Sequence, residues 1–447
     1  VADFSVAARL NALPITALHR KATMVIGIGF FFDLYESFLS GILAVTLTEE
    51  LGGSATAKKL LLASVYVGSF FGALIMSRVA DRIGRRTAFL ATLAVYSVFS
   101  LLGAFSNSVE LLIVARFLAG VGIGAELPLG AVYLADLLPS AVRGRFVALA
   151  FTVGFCGMPV AGFAGMALAP AAPLGIAGWR WLLGAGAVGA VLIWFLRRTL
   201  PESPRWLESV GRQAEADEAT RRFERLAGDR AREPVELEPE RERLSLRQLF
   251  AGQWRKRTVM LWIFHVFQTV GYYGFGTMVP LVLQQKGFEV TSTLTYTALS
   301  YLGYPVGSLL SVPIMERGER KWLVCGGALA MIAFGLAFGF TTSAVLIAVF
   351  GFCYTLSSNV FSNAYHAYEV EIFPTSVRAT AAGSAYSISR LTNAAMPFLL
   401  VPVLDLAGSA SLFAVIVAAM VLVIVDVAVL GPRTTGRSLE SISYSGR

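Results

Sequence analysis

Twelve long apolar runs, separated by short charged blocks, leave this chain very few ways to fold. They lie at about 22–46, 60–80, 87–106, 111–137, 145–169, 178–197, 257–284, 293–314, 321–340, 343–370, 379–404 and 408–430, each near or above the ~20 residues a helix needs to cross ~30 Å of hydrocarbon. In lipid every backbone N–H and C=O must be satisfied within the protein, so the choice is helices or a closed barrel. Runs this long, and apolar on every face, do not suit barrel strands. With 56% hydrophobic and 15% charged residues among 447, the composition also argues against a disordered chain, a nucleic-acid-binding protein or an ordinary soluble enzyme, despite a net charge of +8.

Where the positive charges sit explains that excess. Twelve spans put both termini on one side of the bilayer. All but six of the 37 Lys and Arg residues fall toward that side. Lys58, Lys59, Arg180 and Lys286 fall on the other, and Arg116 and Arg390 lie inside spans. The positive-inside rule then predicts cytoplasmic termini in a plasma or inner membrane, with anionic lipid as neighbour. Residues 1–21 are too polar to hold the apolar core of a cleavable signal peptide. Cys156, Cys325 and Cys353 form no CxxC and read as small buried apolar residues.

An internal repeat divides the chain. Tyr133-Leu-Ala-Asp136-Leu-Leu-Pro139-Ser-Ala-Val142-Arg143 returns as Tyr368-Glu-Val-Glu371-Ile-Phe-Pro374-Thr-Ser-Val377-Arg378, and Asp81–Arg86 lies over Glu316–Lys321 at the same offset. The expected organisation is a six-helix half at 1–197, a cytoplasmic linker of short helices at 198–256 and a second half with a tail at 257–447. The fold class is thus an all-α membrane protein of twelve transmembrane helices in two pseudo-twofold-related six-helix bundles, with a substrate site between the bundles near mid-membrane.

Ionisable residues inside a span are costly and mark function by default. The first span carries Asp33 and Glu36, three apart and so on one face. Two close carboxylates in a dry site resist double ionisation, which suits a proton carrier. The fourth span holds Arg116, Glu126 and Asp136, with Glu126 behind Gly120, Gly122 and Gly124. Glu126 is a further proton candidate, and the alternative for it is a packing bond to the first span. Arg116 and Arg390 can grip an anionic substrate or balance the first-span carboxylates. Gln268, Tyr272, Asn359, Asn363, His366 and Asn393 complete a candidate substrate face. In the ungapped repeat Gln268 overlies Asp33, which places the charged proton site in the first half and a neutral recognition face in the second.

The segment Gly72-Ala-Leu-Ile-Met-Ser-Arg-Val-Ala-Asp81-Arg82-Ile-Gly84-Arg85-Arg86 resembles the signature loop of the major facilitator superfamily, although Ser77 stands where that loop usually has Gly. Arg116-Phe-Leu-Ala-Gly-Val-Gly-Ile-Gly resembles its fourth-helix motif. Pro201-Glu-Ser-Pro-Arg-Trp-Leu and Gly431-Pro-Arg-Thr-Thr-Gly-Arg-Ser-Leu-Glu look like the sugar-porter branch, and the Asp33/Glu36 pair resembles the first-helix motif of aromatic acid:proton symporters. The resemblance implies a gating latch. Asp81 would cap a neighbouring helix, and Arg82, Arg85 and Arg86 would pair with carboxylates across the halves, Asp136 for example. Arg143, Glu371 and Arg378 occupy related positions.

Gly184-Ala-Gly186-Ala-Val-Gly189 fits a dinucleotide pattern but lies in an apolar span without a preceding strand. Phosphate-loop, metalloprotease and nucleophile-elbow motifs are absent from the sequence. The expectation is therefore a transporter and not an enzyme, with no metal or cofactor beyond the proton as coupling ion. Its partners are a small-molecule substrate and the bilayer, not nucleic acid, and it is expected to act as a monomer. Uptake of an organic or aromatic carboxylate by alternating access leads. Sugar, polyol or organic-cation symport, proton-driven export and a non-transporting sensor are the alternatives; Met158 interrupts the Gly-Pro pair typical of exporters.

Overall fold

The computed structural model describes residues 4–50, 54–139, 142–228, 233, 250, 254–373 and 375–433. The chain is helical throughout the described spans. Among the described residues, ten helices are long and apolar enough to cross a membrane by length and composition. The other two expected spans are present in altered form. The helix Thr375–Leu430 is interrupted at Gly408, where φ 79° and ψ 174° are not helical, so it supplies both the eleventh and the twelfth. The eighth is Val290–Tyr301 followed by Gly303–Arg317, two pieces joined at Leu302.

The break at Leu302 belongs to a pattern. The fourth span is Val109–Ile123 and then Glu126–Leu137; the fifth is Arg143–Phe155 and then Gly157–Leu168. Each break lies just before a proline: Pro128, Pro159 and Pro305. Proline has no N–H for the carbonyl four residues back, and its ring crowds that carbonyl. The unbroken runs expected from hydropathy are corrected at these three points.

Two compact units emerge, each with its own core. One comprises Val1–Ser37, Val67–Gly157 and Arg180–Pro239. Ile26, Phe30, Phe89, Tyr133, Trp206 and Phe223 are among its buried residues. The short helices Val6–Asn11, Pro204–Ser209 and Gln213–Ala227 are built into this core. In the last of these, Ala216, Ala219, Thr220, Phe223 and Ala227 form one buried face at helical spacing. Arg9 ties the first to the third, pairing with Asp217 and donating to Glu224 at 2.9 Å. Glu224 is the main cause of a pKa raised above the usual arginine value.

The second unit comprises Phe38–Tyr66, Met158–Trp179 and Glu240–Arg447. Phe275, Phe338, Tyr354 and Phe413 lie in its core, with the Phe275 and Tyr354 rings stacked at 3.8 Å. Within this unit Phe38 packs edge-on to Tyr301 and Tyr304. A Cβ on Gly41 would approach Thr277 O to 2.9 Å, so glycine permits that helix contact.

Candidate functional site

Among its described residues, the first unit contains two buried carboxylate–guanidinium pairs. Glu36, wholly buried, pairs with Arg116, itself 1% exposed. Arg116 Nη2 also donates to the Glu36 carbonyl at 2.9 Å, and Ser100 Oγ donates to Glu36 Oε1 at 2.6 Å. Oε2 has no hydrogen-bond partner among the described residues. A Cβ on Gly186 would sit 2.7 Å from that oxygen and 3.0 Å from Tyr96 Oη. Gly186 therefore serves close approach of the sixth span to this carboxylate, and Gly189 its approach to Phe32. Asp33, one turn before Glu36, is also buried.

Glu126 begins the helical piece that follows the Pro128 break, and it pairs with Arg197 at the end of the sixth span. Thr92 Oγ1 donates to Glu126 Oε2 at 3.3 Å, and the Arg197 guanidinium lies 4.2 Å from the Phe89 ring centroid. A Cβ on Gly29 would fall 1.9 Å from Arg197 Nη2, so a larger residue there would displace the guanidinium. Sequence reasoning missed Arg197, which beside Arg198 reads as an interfacial anchor; only Arg197 is buried.

The candidate substrate residues of the second half lie in the second unit. Asn359 Nδ2 donates to Tyr304 O at 2.5 Å, and Asn359 Oδ1 accepts from Tyr272 Oη at 3.4 Å. Asn363 donates to Ser311 Oγ at 2.6 Å. Those bonds join the tenth span to the seventh and the eighth. Arg390 donates to Tyr386 Oη and lies 5.7 Å from the Tyr273 centroid. Gln268 Oε1 and Asn393 Nδ2 are buried without a hydrogen-bond partner among the described residues. His366 Nδ1 and His265 Nε2 each lie 3.0 Å from one oxygen of Glu369, a carboxylate the sequence reading passed over.

The charged loops show the internal repeat in their bonding. Tyr133 Oη donates to Pro201 O, and Tyr368 Oη donates to Pro432 O at 2.7 Å. Arg86 Nη2 reaches Arg198 O at 2.6 Å, and Lys321 Nζ reaches Gly431 O at 2.8 Å. Arg320 Nε donates to Glu371 Oε1 at 3.2 Å, while Arg85, Arg205 and Arg143 act electrostatically on Asp136. Arg85 and Asp136 belong to the same unit. The Arg85–Asp136 interaction is thus present, within one unit and not across the halves. Asp136 Oδ2 accepts from Ser203 Oγ at 2.7 Å and its carbonyl from Arg205 Nε at 3.1 Å. Glu202 Oε1 accepts the Arg86 N–H at 2.8 Å, capping the third span with a carboxylate where the helix dipole favours one. Arg82 is exposed; the side chains of Asp81 and Arg378 lie outside the described residues.

A bond set that recurs from half to half, on twelve apolar helices, is the construction of a secondary transporter of the major facilitator superfamily: a multi-pass membrane protein that moves a small molecule, not an enzyme. More narrowly, the chain belongs to the sugar (and other) transporter family, whose sequence profile matches residues 23–445. It is 34% identical over 391 residues to the putative metabolite transport protein YyaJ of Bacillus subtilis, covering 86% of each chain. It is 28% identical over 439 residues to the niacin transporter NiaP of Acinetobacter baylyi, covering 97% of this chain and 98% of that one. A partially occluded inward-open structure of the xylose transporter XylE from E. coli shares the fold, with TM-score 0.78 at 20% identity over 95% of this chain and 100% of that one.

Proposed function

We propose that the protein is a proton-coupled symporter that takes up a small organic carboxylate by alternating access, lying in the plasma membrane with both termini in the cytoplasm. The observation that carries this reading is the fully buried Glu36, bound to Arg116 and Ser100 through one oxygen while the other has no hydrogen-bond partner among the described residues. A proton arriving on Oε2 neutralises the carboxylate and loosens its hold on Arg116, whose charge then becomes available to a carboxylate solute. Asp33, one turn away, and Glu126 are the further proton-handling groups. Proton and solute bias the access states through differential affinity, as any coupled ligand must.

Arg390, Gln268, Tyr272, Asn359, Asn363, His366 and Asn393 form the recognition face in this reading. The likeness to a niacin transporter supports an aromatic acid, since niacin is a pyridine carboxylate. The test is nicotinate and benzoate uptake into proteoliposomes across an inward proton gradient, with sugars, polyols and amines in parallel. Glu36→Gln should abolish accumulation while keeping counterflow. Unchanged accumulation in that variant, or transport of sugars alone, overturns the reading.

A further inference from the structure

Glu36 and Glu126 face arginines, which stay protonated at any physiological pH. Each of those pairs is neutral without an added proton. The carboxylate of the tenth span is held differently. Glu369 is buried, and its two oxygens are taken by two imidazoles, His265 Nε2 on Oε2 and His366 Nδ1 on Oε1, both at 3.0 Å. Among the described residues no lysine or arginine forms an ion pair with it. Arg257 on the seventh span donates to Ile372 O at 2.9 Å, Arg320 pairs with Glu371, and Arg390 lies over Tyr273 and Tyr386. Tyr365 packs against both imidazoles, at 5.8 Å from His265 and 4.2 Å from His366, and Tyr272 and Tyr273 lie next to it. Phenols are ordinarily neutral below about pH 10 and supply no counter-charge.

This cluster is therefore neutral only when it holds one proton. Deprotonated, it is a buried carboxylate at the end of a span between two neutral rings, of which the His265 ring is buried and the His366 ring half-exposed. Singly protonated, it is an imidazolium–carboxylate pair with the second imidazole as a hydrogen-bond donor. His265 adds a second observation: its side chain is 2% exposed, and its Nδ1 has no hydrogen-bond partner among the described residues.

We infer that His265, Glu369 and His366 form a proton-binding site in the second half of the protein, separate from the carboxylate–arginine pairs of the first. The site goes beyond the proposed symport, because it binds its proton whatever solute is carried. It belongs to the three groups jointly, so the proton is assigned to the cluster and not to one ring. It also moves a proton-carrying element into the half that sequence alignment with Asp33 marks as neutral.

The chain has three histidines, so its histidine spectrum is small enough to read directly. The experiment is ¹⁵N-histidine NMR of the full chain in nanodiscs without substrate, with His265→Gln and His366→Gln used for assignment. At about pH 8, where an unperturbed histidine is almost wholly neutral, the wild type should keep one imidazolium equivalent shared between His265 and His366. Glu369→Gln should remove it, and Glu369→Asp, which keeps the charge, should retain it. A direct acid–base titration should give a difference of about one proton per chain between wild type and Glu369→Gln near neutral pH. Wholly neutral shifts for both rings in the wild type at pH 8 overturn the inference, as does an imidazolium signal that survives in Glu369→Gln. Both readouts are made without transport, so they stand or fall independently of the symport reading.

Discussion

Replacing Arg116 with methionine keeps much of the apolar stem and removes the guanidinium paired with Glu36. A fully buried carboxylate deprived of its counter-ion has two ways out. Staying charged costs about 3–5 kcal/mol. Taking up a proton costs about 1.36 kcal/mol for each pH unit above the ordinary glutamate value near 4.3, or about 3.7 kcal/mol at pH 7 and about 1 kcal/mol at pH 5. The cheaper route sets the loss, so the variant should be about 3–4 kcal/mol less stable than wild type at pH 7. The deficit is absent at the ordinary glutamate value, grows with pH above it and is relieved as pH falls, leaving about 1 kcal/mol at pH 5. Adding Glu36→Gln removes the charge altogether, so the double variant should recover most of the loss at pH 7, a coupling of about 3 kcal/mol. Reversible denaturation in detergent at the two pH values reads all four corners of the cycle. A pH-independent loss in Arg116→Met, or a double variant no more stable than the single one, would show that the pair does not stabilise the protein as an ion pair.

Two further outcomes follow from the helix ends. Gly84 precedes the third span at φ 104°, and a Cβ there would lie 2.4 Å from Glu202 Oε2. Gly84→Ala should cost about 1–3 kcal/mol and expose the Arg86 amide to hydrogen exchange; unchanged protection at Arg86 would refute the role given to Glu202. Lys286 Nζ donates to Phe338 O at 2.9 Å and to Thr341 O at 2.6 Å, closing the end of the ninth span, while burial lowers its pKa from the ordinary lysine value. Lys286→Met should cost about 1–3 kcal/mol in denaturation at pH 7, and a variant as stable as wild type would mean water serves those carbonyls equally well.

Hydropathy and the repeat made the fold readable, because lipid forces backbone bonding into helices and duplication leaves its mark in the loops. Pairings were less readable. Glu36 and Arg116 stand out individually, but nothing in the string joins residues 80 apart. Glu369 was overlooked because it lies two residues from Glu371 at the edge of a charged loop. His366, three residues before it on the same helix face, was the available signal. The buried face of Gln213–Ala227 was hidden for another reason: it is built mostly of alanine, which weighs little in a hydrophobicity scan yet lets helices approach closely. Prolines alone do not mark the broken spans, because Pro280, Pro397 and Pro402 stand within helices that continue through them.

Bending a continuous membrane helix means tearing a backbone hydrogen bond where no water can replace it. In the fourth, fifth and eighth spans that bond was deleted when the gene wrote Pro128, Pro159 and Pro305, and the loss was settled during folding. The helix ladder at each site is therefore a rung short from the outset, while its neighbouring rungs, such as Gly124 N to Gly120 O at 2.8 Å, remain. The interruptions of these three spans are thus written into the covalent chemistry of the chain.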